Sequence, residues 1–183
     1  MKSLCFDMDG VIMPSVEYIC KLNNIDFNNV VNYRFDKCEK LTKEQVNIIL
    51  DSFGRKEILE GTGYYPGALE IKDLTSRYEI SFHSLYVRFF ECQYKRNLIK
   101  KLVPTIKDEN IQLAQFGDVG NKEFKYYDII VEDSAENILN NYDKANLFII
   151  LDKPYNRNID EKYLKKILRL QNLDECIQYL KNN

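Results

Sequence analysis

Residues 3–10 read SLCFDMDG, and the reading of this stretch decides the fold. Leu4, Cys5 and Phe6 form a short apolar run with the composition of a buried strand, and the run ends at Asp7. Side chains alternate along an extended chain, so Asp7 and Asp9 project to the same side. At about 4 Å and an effective dielectric near 20, two such carboxylates repel by roughly 4 kcal/mol. The pair therefore calls for a nearby cation or for a proton held on one of its members. Gly10 follows at once and lets the chain turn sharply.

Outward from this stretch the pattern has two parts. Between Ile12 and Tyr65 the signals are helical. Val16, Ile19, Cys20 and Leu22 fall at helical spacing, and Thr42 with Gln45 makes a capping box whose helix stops near Gly54. From Pro66 onward helix and strand alternate. GALEIKDLTSR is helical, with Leu69 and Leu74 facing inward. YEISFHS is a strand, and LYVRFFECQYKRNLIKKLV a helix with a basic, solvated second half. IQLAQFG and YDIIVED are strands. SAENILNNYD is a helix capped by Ser134, ANLFIILD a strand, and the tail from Asp160 to Leu180 an amphipathic helix. Strands separated by helices of this length imply an α/β fold, a Rossmann-like parallel sheet flanked by helices. The expected organisation is a core of residues 1–11 and 66–183, with residues 12–65 inserted after the first strand as a small helical cap.

Composition narrows the function. The chain has 183 residues, enough for one domain with a core that needs no disulfides. Its net charge is -2, from 26 basic and 28 acidic residues, so no basic field argues for nucleic acid as a partner. The five cysteines (Cys5, Cys20, Cys38, Cys92 and Cys176) are irregularly spaced, which suits reduced, packed thiols better than bridges or a zinc site. The single histidine, His83, excludes a multi-histidine metal centre. The first apolar run is broken by charge after Phe6, and no segment reaches the ~20 apolar residues of a membrane span, so a cytoplasmic protein without a membrane partner is expected.

Open parallel sheets bind ligands at the carboxyl ends of their strands. Those ends carry Asp7, Met8, Asp9 and Gly10, then Ser84 and Leu85, then Lys122, then Glu132 and Asp133. In this order the elements resemble the motifs of haloacid dehalogenase-like phosphohydrolases. Within that superfamily the chain is most similar to the 5'(3')-deoxyribonucleotidase group, through the early helical insertion, YYPGALEIKDL, and NKEFKYYDIIVEDSAENI with Lys122 six residues before Asp128. The resemblance implies a Mg²⁺-dependent phosphatase that acts on a phosphate monoester, most closely a 5'-nucleotide, as a monomer or homodimer. It implies Asp7 as nucleophile and Asp9 as general acid and base. Lys122 would neutralise charge, and Met8, Gly10, Ser84 and Leu85 would contact the phosphate. Asp7, Asp9, Glu132 and Asp133 would surround the metal, with Glu132 and Asp133 left as alternatives or partners.

Blander roles compete with these. Ser84 also reads as a helix N-cap, Glu132 and Asp133 as caps of the next helix, and Lys122 shares its neighbourhood with Lys125. Alternation turns His83 away from Ser84 and into packing. Asp118 is either a support for the site or a loop residue. In the insertion, Tyr18, Tyr33, Phe35 and Phe53 offer faces for a nucleobase, and Arg34 and Arg55 offer charge, yet aromatics in a small subdomain also form its core. The serine of the second motif, the bulky LYVRFF after it, and the glutamate opening the acidic pair depart from the nucleotidase pattern. A phosphatase for another small metabolite such as a sugar phosphate, and a non-catalytic phosphate-binding protein, are the alternative readings.

Overall fold

The computed structural model describes residues 1–116, 122–159 and 165–183. Six parallel strands form one sheet: β1 (Lys2–Phe6), β2 (Tyr78–Tyr86), β3 (Ile111–Gln115), β4 (Tyr127–Glu132), β5 (Ala145–Leu151) and β6 (Ile167–Leu170), in the order β3-β2-β1-β4-β5-β6. Alternation along β1 divides the core. Leu4 and Phe6 enter the larger apolar cluster, and Cys5 enters the cluster on the other face. The larger face is covered by the 3-10 helix Pro66–Ser76, by α4 (Phe89–Leu102) and by α6 (Leu173–Asn182). The other face is covered by Phe124 and by α5 (Ala135–Asn140) through Ile138. A sheet apolar on both faces is what near-continuous Val/Ile/Leu strands such as DIIV and LFIIL demand.

The segment between β1 and the 3-10 helix holds α1 (Ser15–Leu22), α2 (Lys43–Ser52) and α3 (Lys56–Thr62). A second apolar cluster joins Val16, Ile19 and Cys20 of α1 to Ile49 and Ile58, and it reaches Tyr155 beyond β5. The α2 capping box is present in full: Thr42 Oγ1 accepts from Gln45 N, and Gln45 Oε1 accepts from Thr42 N. All five cysteines are free, and four of them are buried. Among the described residues no helix is long and apolar enough to cross a membrane.

Four expectations need correction. β2 continues through Leu85 to Tyr86, because its outer edge pairs with β3 as far as Tyr86 opposite Gln115, so α4 begins only at Phe89. The tail contains strand β6, which pairs with β5, before α6 starts behind the N-cap Asn172. Leu69 points outward, about half exposed, while Leu74 is buried. The basic half of α4 is not wholly a solvated face, since Lys95 is fully buried. Asp118 lies outside the described residues.

Candidate active site

The strand order reverses its direction of growth at β1, which lies between β2 and β4. A crevice opens at such a switch point beyond the carboxyl ends of the strands. The register places Phe6 opposite Val131, and Asp7 N donates to Val131 O at 3.0 Å, so Asp7 leaves β1 beside Glu132 at the end of β4. Asp7, Glu132 and Asp133 are buried, and each offers a carboxylate oxygen within 4.8 Å of the others. Lys122, buried as well, donates to Asp7 Oδ1 at 2.6 Å and to Glu132 Oε2 at 2.9 Å. Residues from three separate segments thus meet in one volume shielded from water.

The charges do not balance. Three carboxylates face one ammonium. Burial, then Glu132, pushes the Asp7 carboxyl up to about 7 against the opposing pull of Lys122. Burial, Glu132 and Asp7 hold Asp133 well above the carboxylate range. Burial works the same way on Glu132, but the Lys122 ammonium and hydrogen bonds outweigh it and bring that group below its usual value. Burial alone would lower Lys122, yet Asp7 and Glu132 raise it, so it stays charged. The hydrogen bonding separates the two members of the acidic pair. Glu132 Oε1 accepts the N–H groups of Asp133 (3.2 Å) and Ser134 (3.1 Å), while its Oε2 accepts Lys122. Asp133 Oδ2 accepts the Tyr155 hydroxyl, and its Oδ1 is buried with no partner among the described residues.

The loop after β1 is wound tightly. Met8 O accepts from both Ile12 N and Met13 N at 2.8 Å, and Gly10 N donates to Met13 O at 2.7 Å. The Met8 side chain is in the core. Gly10 has φ +77°, and a Cβ there would stand 1.9 Å from Asp133 Oδ2, so both conformation and space require glycine. Asp9 stands apart from the acidic trio. Its Oδ1 accepts Ser15 Oγ at 2.6 Å and its Oδ2 accepts Lys95 Nζ at 2.5 Å.

Ser84 is buried inside β2, not at a helix N-terminus as its capping reading expects; the first turn of α4 starts five residues later. Its hydroxyl contacts Leu85 O at 3.3 Å and accepts from Lys95 at 3.2 Å. Leu85 stays in the strand, and its carbonyl accepts Lys95 at 2.6 Å. Lys125 is exposed. His83 is buried edge-on to Phe124 at 4.9 Å, and burial, with Lys122 nearby, lowers it to about 4. In the insertion, Phe35 stacks on Phe53 at 6.1 Å and Tyr18 packs on the same cluster. Tyr33 meets Tyr155 at 5.7 Å and is partly exposed, and the nearby carboxylates help burial to raise its hydroxyl. Arg34 pairs with Asp36 at 3.5 Å on the surface, and Arg55 is exposed.

Sequence reasoning missed Ser15, Tyr155 and Lys95. Only Lys95 left a clear trace. The buried stripe of α4 runs Leu102, Ile99 and Leu98, and the same helical spacing carried backward lands on Lys95 and Glu91. Two charged residues in register with an apolar face indicate an internal ion pair.

No protein-family model matches the chain, and no curated protein matches it in sequence. Solved structures do match. The chain is similar to a haloacid dehalogenase-like family hydrolase from Streptococcus pneumoniae, with TM-score 0.60, 14% identity and 98% of each chain covered. The fold is haloacid dehalogenase-like. A superfamily hydrolase from Ehrlichia chaffeensis aligns over 100% of this chain and 98% of its own at TM-score 0.56 and 14% identity. The Bacillus subtilis hydrolase YfnB, bound to magnesium, aligns over 98% of each chain at TM-score 0.53 and 15% identity. In the haloacid dehalogenase-like sheet of this chain, the acidic trio and Lys122 occupy the tips of β1 and β4 and the segment leading into β4.

Proposed function

We propose that this chain is a Mg²⁺-dependent phosphatase that hydrolyses phosphate monoesters through an aspartyl-phosphate on Asp7. One observation carries the reading: three buried carboxyl groups within 4.8 Å of one another face a single ammonium, so that with all three ionised two negative charges are left over, which a divalent cation matches. The oxygen donors suit Mg²⁺, which takes few carboxylates and keeps several waters. Asp133, whose buried Oδ1 has no partner among the described residues, is the ligand the geometry favours beside Asp7, with the main-chain carbonyl of Asp9 the further ligand that the family resemblance implies. Glu132, both of whose oxygens already accept protein donors, mainly fixes Lys122. The ion, when bound, would neutralise the phosphate and the nucleophile as they approach.

The chain's own groups do the rest. Asp7 Oδ attacks phosphorus and the P–O bond to the leaving alcohol breaks. Asp9 gives that oxygen a proton, then takes one from the water that releases phosphate from Asp7. Lys122 holds Asp7 in place and offsets charge on the phosphoryl oxygens. As the family resemblance implies, the Ser84 hydroxyl and the main chain at Met8 and Leu85 serve as the phosphate donors. Residues 12–65 act as the cap that screens the leaving group. A 5'-nucleotide is the first substrate class to test, because the partly exposed ring of Tyr33, beside Tyr155, offers a base a stacking face next to the carboxylates.

The test is phosphate release from p-nitrophenyl phosphate, with and without Mg²⁺, followed by a panel of nucleotides and sugar phosphates. The expected result is metal-dependent release that Asp7→Asn abolishes. Release that survives Asp7→Asn, or none in the unaltered chain, would overturn the reading. A preference for sugar phosphates over every nucleotide would replace the substrate class and leave the reaction.

A further inference from the structure

Lys95 is a fully buried ammonium that the hydrolysis above does not use. It lies within hydrogen-bond reach of four oxygens: Asp9 Oδ2 (2.5 Å), Leu85 O (2.6 Å), Glu91 Oε1 (2.7 Å) and Ser84 Oγ (3.2 Å). Burial opposes its charge, but Asp9 and Glu91 more than compensate, so it remains protonated. Glu91 is itself anchored, accepting Val87 N at 2.8 Å through its other oxygen. Stability alone gives no reason for this arrangement. Replacing a buried ion network by well-packed apolar groups is often neutral or stabilising. The next positions on this face of α4 are Leu98, Ile99 and Leu102, so a leucine at 95 would simply extend the core.

The effect of the network falls on one side chain. Asp9 is gripped at both oxygens, by Ser15 from α1 through Oδ1 and by Lys95 from α4 through Oδ2. A carboxylate has about four lone-pair sites. Two are taken by these donors, which leaves the carboxylate plane fixed and a lone pair on each oxygen for a proton in transit. We infer that Lys95 is a positioning residue that sets the Asp9 carboxylate in line with the leaving oxygen and, later, with the attacking water. The inference rests on the hydrolase reading above. In the first step the Asp7 Oδ–P bond forms, the P–O bond to the alcohol breaks, and the proton on Asp9 goes to the alcohol oxygen. In the second step a water oxygen bonds to phosphorus, the Asp7 Oδ–P bond breaks, and the water proton returns to Asp9.

The readout is leaving-group dependence in the first step. p-Nitrophenolate departs without a proton, whereas an alkoxide does not. Single-turnover rates with Mg²⁺ are compared for p-nitrophenyl phosphate and a simple alkyl phosphate, in the unaltered chain and in Lys95→Met, Lys95→Arg and Ser15→Ala. In Lys95→Met the nitrophenolate burst should stay within about threefold, while phosphoryl transfer from the alkyl ester falls about 100-fold, the lower range for general-acid catalysis. Ser15→Ala, which keeps the ion pair and threatens folding least, should show the same selectivity at about 10-fold. Lys95→Arg should recover part of the alkyl rate. Equal loss on both esters, or no loss on the alkyl ester in either Lys95→Met or Ser15→Ala, overturns the Lys95 role and leaves the hydrolase standing. An unaltered chain that turns over neither ester overturns both.

Discussion

At the scale of single residues, Gly10 and His83 give the sharpest expectations. A methyl group at position 10 would force a positive φ on an L-residue and drive into Asp133 Oδ2. Gly10→Ala should therefore cost about 1–3 kcal/mol in urea unfolding and remove most Mg²⁺-dependent phosphatase activity. Retention of both would show that the Gly10–Asp133 contact is not needed. His83 is buried and neutral, with its pKa lowered to about 4 from an ordinary 6.5. The unfolded chain then binds more protons than the folded one as pH falls through that window. Stability from this group is full above about 6.5 and drains away toward 4, by about 3 kcal/mol. Urea midpoints at pH 7 and 4.5 should fall further in the unaltered chain than in His83→Gln; equal falls would mean that His83 is not buried neutral. That Asp7, Lys122, Glu132 and Asp133 would meet was legible in sequence, because the carboxyl ends of parallel strands converge on one edge of the sheet. Tyr155 was not, because nothing near it in the chain says what it touches, and the α4 stripe that gives away the burial of Lys95 does not name Asp9 as its partner.

At the scale of elements, the capping box of α2 was readable from Thr42 and Gln45 alone, since both partners lie within one turn. Thr42→Ala should cost about 1 kcal/mol and lower the melting temperature by roughly 2–4 °C, a shift that calorimetry resolves; no shift would mean that α2 is not coupled to global unfolding. The strands β1, β2, β4 and β5 stood out as short apolar runs between turns. β6 did not. Ile167, Leu168 and Leu170 fall close enough to the stripe Leu173, Cys176, Ile177 and Leu180 that helical periodicity runs through both. Only pairing with the edge of β5 makes the first group a strand. The extension of β2 through Leu85 and Tyr86 has the same cause, a neighbouring strand that local pattern cannot supply.

At the scale of the whole molecule, the site is a concentration of buried negative charge that the fold brings together and does not itself neutralise. Mg²⁺ should accordingly stabilise the chain, by about 2.7 kcal/mol at a hundred times its Kd. Thermal unfolding in Mg²⁺ and in EDTA should separate by that amount in the unaltered chain and hardly at all in Asp133→Asn. An equal separation in Asp133→Asn would remove that residue from the metal's shell. The alternation of apolar runs and amphipathic helices determined by itself that this chain forms a parallel α/β sheet, and the residue types at the strand ends pointed to phosphate and metal, because both signals are local and repeat along the chain. Which strand lies beside which, that Lys122 meets Asp7 and Glu132, and that Lys95 enters the core to hold Asp9 were decided only by tertiary structure. Those contacts join residues tens of positions apart or depend on burial, and burial is a property of the packed molecule that no short stretch of sequence carries.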